Sequence, residues 1–376
     1  MSRPAIVAAY EVPYTRHPEP TTTTRSLLAA AVVGAVEQAG LQLRDLDGLG
    51  VSSFVLQPDH AIDLAWHLGI EVSWLMDGAL GGAAALDMLQ HAIQAIEAGD
   101  SKAVALVAGG RADAAAFAKL TGNFNAVTAE RLAPIPYGGP NTLFSLLTRR
   151  HMAAHGLARE DYAEVAIAQR RWAERNPGAV YRSPMTLETY LEAPMVTEPL
   201  GLFDCVPVVT GADAVIVTRH DPTRYEKAVG VETLRCSYNH DNQENDGLQT
   251  GLARLAEAFW SAGRSAPHLV DVVSVYDDYP VMVLIQLADL GFGSPREIVD
   301  ALRTGRLASN TSGGLLSAGQ ASGAGGMHGL VEVVTQLRGE AGDRQVARCT
   351  TGLVTNYGMV LYRYGACASA ALLQRL

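Results

Sequence analysis

The chain has 376 residues, 48% of them hydrophobic and 18% charged, so it can bury a sizeable core and its length suits two domains of similar size. A formal charge of −10 with no basic run to offset it argues against nucleic acid or an anionic membrane as the main partner. Its four cysteines, Cys205, Cys236, Cys349 and Cys367, are widely spaced with no C-x-x-C pair, which suggests neither a disulfide framework nor a cysteine-based zinc site.

Along the chain, Pro4 to Ala9 reads as a short buried strand and Arg16 to Thr24 as a polar loop. The segment up to Tyr10 is interrupted too soon to read as a signal peptide, and no apolar run is long enough to span a membrane. A reduced cytoplasm is therefore the expected compartment. Ser26 to Ala39 has helical spacing and ends on Gly40, and Leu46 to Val51 leads into a strand. Trp74-Leu75-Met76-Asp77-Gly78 reads as a strand entering a turn. Gly81 to Ala98 is helical and apolar nearly all round, the mark of a buried helix, and Ala103 to Ala108 reads as a buried parallel strand.

From about residue 113 to 198 the composition changes to Asn, Pro, Tyr, Arg and charged amphipathic helices such as Ala158 to Arg175. This region reads as a lid or loop domain inserted into the first half. Core character returns at Ala212 to Val217. The second half then repeats the plan of the first: a helix over Leu252–Ala262, a strand over Leu269–Val275, a Gly-rich turn over Ser312–Gly326, a helix over Met327–Leu337 and a strand over Thr351–Thr355. The matching order implies duplication, with a mostly parallel, helix-covered sheet in each half.

Several stretches together resemble the thiolase superfamily, in its sterol-carrier-protein-x or lipid-transfer-like branch. They are Gly78 to Leu86 running on to Asp100, Asn176-Pro177, Pro199-Leu200 through Ala214, Tyr276-Asp277-Asp278-Tyr279, Asn310 to Ser317, and Gln336-Leu337-Arg338-Gly339-Glu340. The resemblance covers essentially the whole chain. It implies an α/β thiolase fold, a duplicated five-layered αβαβα arrangement with halves at 1–225 and 226–376 and the loop domain inserted at about 113–198. It also implies a homodimer whose central sheets pair.

The family's four catalytic loops are altered. A nucleophilic cysteine at the tip of a strand-to-helix turn would have its thiol pKa lowered by the helix N-terminus. That position falls on Gly78, with no Ser, Thr or Cys beside it. The turn is left either as an oxyanion site or as packing. Where the branch carries His-Asp-x-Phe, this chain has Tyr276, Asp277, Asp278 and Tyr279. A phenol there can donate to a carbonyl oxygen, or act as a base if its pKa falls; the alternative is a strand-end Tyr bonded to backbone. The family's Gly-His-Pro becomes Gly319-Gln320-Ala321, a donor that cannot transfer protons. The Cys-x-Gly loop becomes Asn356-Tyr357-Gly358. His151 and His155 lie one turn apart on a lid helix; with no third ligand apparent they suggest no metal, and His151 is weighed as catalytic against an ordinary helix face. His328 reads as structural, and Cys205 as a buried thiol in a loop before a core helix.

Thiolysis needs an acyl-accepting nucleophile, whereas retro-aldol cleavage of a β-hydroxyacyl-CoA needs a base and enolate donors. Steroid side-chain aldolases of the lipid-transfer-like group are cysteine-free, use tyrosines and work with an OB-fold, zinc-ribbon partner. The resemblance therefore implies a cysteine-independent acyl-CoA aldolase of lipid or steroid side-chain metabolism, with a CoA thioester as substrate and no cofactor of its own. A second tyrosine that those aldolases carry near Gln320 is missing here. Tyr276, Asp277, Gln320, Asn356 and His151 are the expected catalytic residues, with Gly78, Asp278, Tyr279, Gly319 and Tyr357 binding substrate. The competing reading is a non-catalytic CoA-ester-binding or structural subunit.

Overall fold

The structure, a computed structural model, describes residues 3–111, 125–135 and 137–376. The expected lid residues 113–124 and 136 lie outside that range. Eleven strands are described: β1 (Pro4–Thr15), β2 (Gly48–Ser52), β3 (Trp74–Asp77), β4 (Ala103–Gly110), β5 (Met195–Thr197), β6 (Leu200–Gly201), β7 (Thr210–Arg219), β8 (Val229–Tyr238), β9 (Val272–Ser274), β10 (Thr351–Val360) and β11 (Gly365–Arg375). The helices are α1 (Thr24–Gln38), α2 (His60–Leu68), α3 (Ala84–Ala98), α4 (Pro140–His155), α5 (Arg159–Ala173), α6 (Leu187–Glu192), α7 (Leu252–Gly263), α8 (Pro280–Asp289), α9 (Pro295–Arg303), α10 (Gly314–Ser317) and α11 (Gly325–Leu337).

Nine strands run in the order β3-β2-β4-β7-β1-β8-β11-β10-β9. The order on either side of the β1–β8 junction is the same, so β1, β2, β4 and β7 correspond to β8, β9, β10 and β11. Ser309 bridges Val273 in parallel, which gives β3 a rudimentary counterpart. The expectation of mostly parallel sheets needs correction. Among the described strands, β2–β3, β2–β4 and β9–β10 are parallel, while β4–β7, β1–β7, β1–β8, β8–β11 and β10–β11 are antiparallel. The central strands β7, β1, β8 and β11 pair antiparallel, and parallel pairing, which needs crossover connections, occurs only outside them.

Side-chain alternation sorts the layers. On β4, Val104, Leu106 and Ala108 pack into the core that holds α3 and α11, and Ala103, Ala105 and Val107 pack into the core that holds α1 and α2. On the other half, Val354 and Leu373 face α3 and α11, while Leu353 and Leu372 join α8. The result is α1/α2, strands, α3/α11, strands, α7/α8: five layers with the largely buried helices α3 and α11 innermost. Their early residues stand at the C-terminal ends of the parallel strands, where α/β folds place their ligands.

Three local expectations change. The strand expected over Leu269–Val275 shrinks to Val272–Ser274, because Pro267 to Leu269 forms a 3-10 turn. The Cys205 loop leads into strand β7 and not into a helix. The loop expected at Asn356-Tyr357-Gly358 is part of strand β10, which runs on to Val360. Strands β5, β6, β8 and β11 and helices α2, α6, α8 and α9 have no separate reading in the sequence.

Candidate active site

β9 ends at Ser274 and delivers Val275 to Tyr279 to the centre of the molecule, where Pro280 opens α8. Proline suits this first helical turn because its missing N–H has no intrahelical role there. Two buried amides fix the loop. Asn310 accepts from Val275 N at 3.0 Å and donates to its carbonyl at 2.8 Å; Gln286 donates to the Tyr276 carbonyl at 2.8 Å and accepts from Thr355 Oγ1. These amides lock the backbone, so the side chains of 276 to 279 have little freedom in direction.

Those side chains diverge. The Tyr276 phenol oxygen accepts a hydrogen bond from Gln320 Nε2 at 3.0 Å. Asp277 turns away and accepts the Leu315 and Leu316 N–H groups at 3.1 and 3.3 Å, at the start of α10. Asp278 keeps a buried Oδ1 with no hydrogen-bond partner among the described residues. Tyr279 donates to Asn141 Oδ1 at 2.7 Å and stacks on Phe144 at 4.3 Å between centroids.

Tyr276, Asp278, Tyr279, Gln320 and Tyr357 line one cavity of about 320 Å³, whose remaining wall includes Phe54, Val206, Val208 and Phe144. The wall is largely apolar, and burial dominates its electrostatics. Burial, with Asp278 and Asp277 close by, pushes the Tyr276 phenol well above its ordinary range; the Gln320 bond opposes that. Burial and the neighbouring Asp277 likewise hold the Asp278 carboxyl well above the usual carboxylate range. Burial lifts Asp277 to about 6, held back by its two backbone donors.

The other five expected site residues lie outside this lining. Gly78 follows β3, but a Cβ there would meet Met88 Sδ at 2.8 Å. The residue that reaches the site is Gly82: a Cβ on it would stand 2.3 Å from Tyr276 Cζ and from the Tyr357 carbonyl oxygen. Asn356 accepts from Leu86 N at 3.1 Å and donates to the Gly326 carbonyl at 3.3 Å, joining the starts of α3 and α11. Gly319 packs on Val209 with φ +112°. His151 is buried in α4 with Nδ1 2.7 Å from Tyr162 Oη, and burial together with His155 lowers its pKa to about 3. Asp277 anchors α10, as described above.

Asn141, Phe144 and Cys205 were not read as site residues, yet all three line the cavity. Gly138-Gly139-Pro140 is a helix-start signal that marks Asn141, but nothing local shows that α4 covers the Tyr279 ring. Cys205 is not an activated nucleophile: burial, then Asp204, push its thiol up to about 12.

Comparison with known proteins agrees with this architecture. Residues 235–368 match the family described as thiolase C-terminal domain-like. The chain is 31% identical to a 17-hydroxy-3-oxo-4-pregnene-20-carboxyl-CoA lyase of Mycobacterium tuberculosis, over 83% of this chain and 86% of that one. It is 30% identical to an acetyl-CoA acetyltransferase of Methanothermobacter thermautotrophicus, over 89% and 91%. Among solved structures, an Ltp2-ChsH2(DUF35) aldolase superposes with a TM-score of 0.84 at 25% identity, covering 99% of this chain and 98% of that one. No helix among the described residues is long and apolar enough to cross a membrane.

Proposed function

The chain belongs to the thiolase superfamily, in its sterol-carrier-protein-x and lipid-transfer-like branch, and we propose that it cleaves a carbon–carbon bond of a β-hydroxyacyl-CoA by a retro-aldol reaction. The observation that carries this reading is the Tyr276–Gln320 pair facing the same apolar cavity as Asp278, with the Cys205 thiol in that wall held protonated. The similarity to a steroid-CoA lyase and to an aldolase supports it.

The reaction needs a base for the β-hydroxyl proton and donors for the enolate oxygen of the departing thioester. Asp278, in its ionised form, takes the hydroxyl proton. The C–C electron pair then moves into the thioester, releasing a ketone or aldehyde and leaving an enolate. Tyr276 accepts from Gln320, so its own O–H is directed to another acceptor; it donates to the enolate oxygen. The proton held by Asp278 then returns to the α-carbon, giving the shortened acyl-CoA. Tyr279, Phe144 and Tyr357 shape the wall around the acyl group, and an apolar acyl group such as a steroid side chain fits that lining.

A homodimer and an OB-fold partner belong to the same proposal. Edge strand β3 carries the exposed Leu75, and α2 beside it carries Ile62 and Trp66, the last 77% exposed, which supports pairing at that edge. The superposed aldolase is a complex with a DUF35 protein, which supports a partner subunit. The test is to incubate the purified chain, alone and with its co-purifying subunit, with a panel of β-hydroxyacyl-CoA esters. Matched release of a carbonyl product and a shortened acyl-CoA is expected. Among the described residues no histidine lines the cavity, which favours a second reading, a CoA-ester-binding subunit without chemistry of its own. Ester binding without cleavage in every combination would establish that reading instead.

A further inference from the structure

Outside the cavity, a second group of polar side chains is buried where β1, β7 and α11 meet. Glu11 and Asp213 are register partners on the antiparallel β1–β7 pair, so two acids stand directly opposite each other. Like charges in that position destabilise a sheet unless something positive lies between them. His328, on the innermost helix, brings Nδ1 to 3.0 Å from Glu11 Oε2. One donor atom from each of the three residues lies within 4.8 Å of the others.

We propose that Glu11, Asp213 and His328 form a binding site for one divalent transition-metal ion of the zinc class. Zinc holds nitrogen and oxygen ligands at about 2.0–2.2 Å, so ligand atoms around one ion stand about 3.3 Å apart in a tetrahedron; Glu11 Oε2 and His328 Nδ1 are 3.0 Å apart, and all three ligand atoms lie within 4.8 Å of one another. Asp213 Oδ1 is buried with no hydrogen-bond partner among the described residues, His328 Nδ1 is buried facing Glu11 Oε2, and both residues are at least nine-tenths buried. The atoms behind them are already engaged. Tyr14 donates its hydroxyl to Asp213 Oδ2, and Ser312 Oγ lies 2.8 Å from His328 Nε2. Such outer partners orient metal ligands, and a histidine fixed through one ring nitrogen presents the other to the ion. The one-nitrogen, two-carboxylate set suits zinc and neighbouring transition metals better than magnesium, which prefers oxygen alone. Glu11 is 25% exposed and provides the way in.

The ion would tie β1, β7 and α11 together. Ser312 extends that link: its carbonyl accepts from Asn176 at 2.7 Å, and its hydroxyl accepts from Gly314 N, beside the turn that anchors Asp277. The role is structural, and the site stands whether or not the chain cleaves acyl-CoA esters.

The test uses the full chain, stripped with a chelator, desalted and titrated with zinc chloride while heat and thermal unfolding are followed. One zinc per chain and a raised Tm are expected, with no comparable response to magnesium. Glu11→Gln, at the partly exposed corner, and Ser312→Ala, behind the imidazole, should each weaken zinc binding by about 10- to 100-fold. His328→Gln and Asp213→Asn should abolish it, with circular dichroism reporting whether those two variants fold. Absence of zinc uptake by the wild-type chain would overturn the proposal and leave an internal ion pair only. Unchanged affinity and stoichiometry in folded Glu11→Gln and Ser312→Ala would overturn it too, by placing the zinc elsewhere.

Discussion

Gln320 Nε2 lies 3.0 Å from the phenol oxygen of Tyr276, and the two residues are 44 positions apart in the chain. The bond has a direction: the amide donates, so the phenol hydrogen is turned to a different acceptor. Tyr276→Phe removes that donor and leaves Gln320 Nε2 without its acceptor. If the phenol holds an enolate oxygen, loss of one preorganised donor lowers kcat by roughly 10²- to 10³-fold. Gln320→Ala keeps the phenol and should cost less, about tenfold, by loosening its orientation. Steady-state kinetics on a cleaved β-hydroxyacyl-CoA, with ligand binding as a control, checks both. An unchanged kcat in Tyr276→Phe would remove that residue from the mechanism.

Asp278 makes the rate depend on pH. Its carboxyl is held well above the usual range by burial and by Asp277, so the ionised base is scarce at neutral pH and increases as pH rises. The rate should therefore climb with pH from neutral upward, and Asp278→Asn should abolish both the activity and that rise. Stability has the opposite dependence. A group whose folded pKa is raised stabilises the fold at pH below its unfolded value, about 3.9, and that contribution is lost as pH rises through the folded value. Denaturant titrations at several pH values should show Asp278→Asn gaining on the wild type as pH increases.

Gly82→Ala tests the tightness of the floor. The added Cβ would stand 2.3 Å from both Tyr276 Cζ and the Tyr357 carbonyl. The backbone oxygen cannot swing aside as a flexible side chain can, so Tyr276 and β10 must move. A stability loss of about 1–3 kcal/mol is expected from such overpacking, together with a loss of cleavage larger than the fraction unfolded explains. Thermal unfolding and kinetics on the same preparation separate the two effects.

Gly78→Cys should not produce thiolysis. A side chain there points at Met88 and Ala84 and not into the cavity, and Asn356, in the loop where a thiolase has its second cysteine, is committed to Leu86 and Gly326. Acetoacetyl-CoA with free CoA, followed by loss of thioester absorbance, provides the assay. Turnover above the wild-type background would show that the turn can host a nucleophile after all.

Much of the architecture was legible in the sequence because it rests on local pattern. The buried helices ending near Ala98 and Leu337, the strands leading into Gly78 and Tyr276, and the repeated helix–strand order follow from apolar runs punctuated by glycine. The resemblance to the thiolase loops singled out Tyr276 to Tyr279, Gln320 and Tyr357, and five of these six line one cavity, although Tyr357 lies within strand β10 and not in a loop. Direction within a loop is another matter. Asp277 and Asp278 are adjacent and chemically identical, yet one binds the Leu315 and Leu316 amides while the other lines the cavity. That choice is made by Asn310 and Gln286, distant residues that lock the loop backbone. Gly78 and Gly82 differ for the same reason: only the approach of Tyr276 across the central layer decides which glycine forms the floor. Periodicity fixes which elements form because it acts between neighbours along the chain. Which side chains meet is decided by packing between segments tens to hundreds of residues apart: Glu11 and Asp213 with His328, Tyr279 with Asn141, and Tyr276 with Gln320.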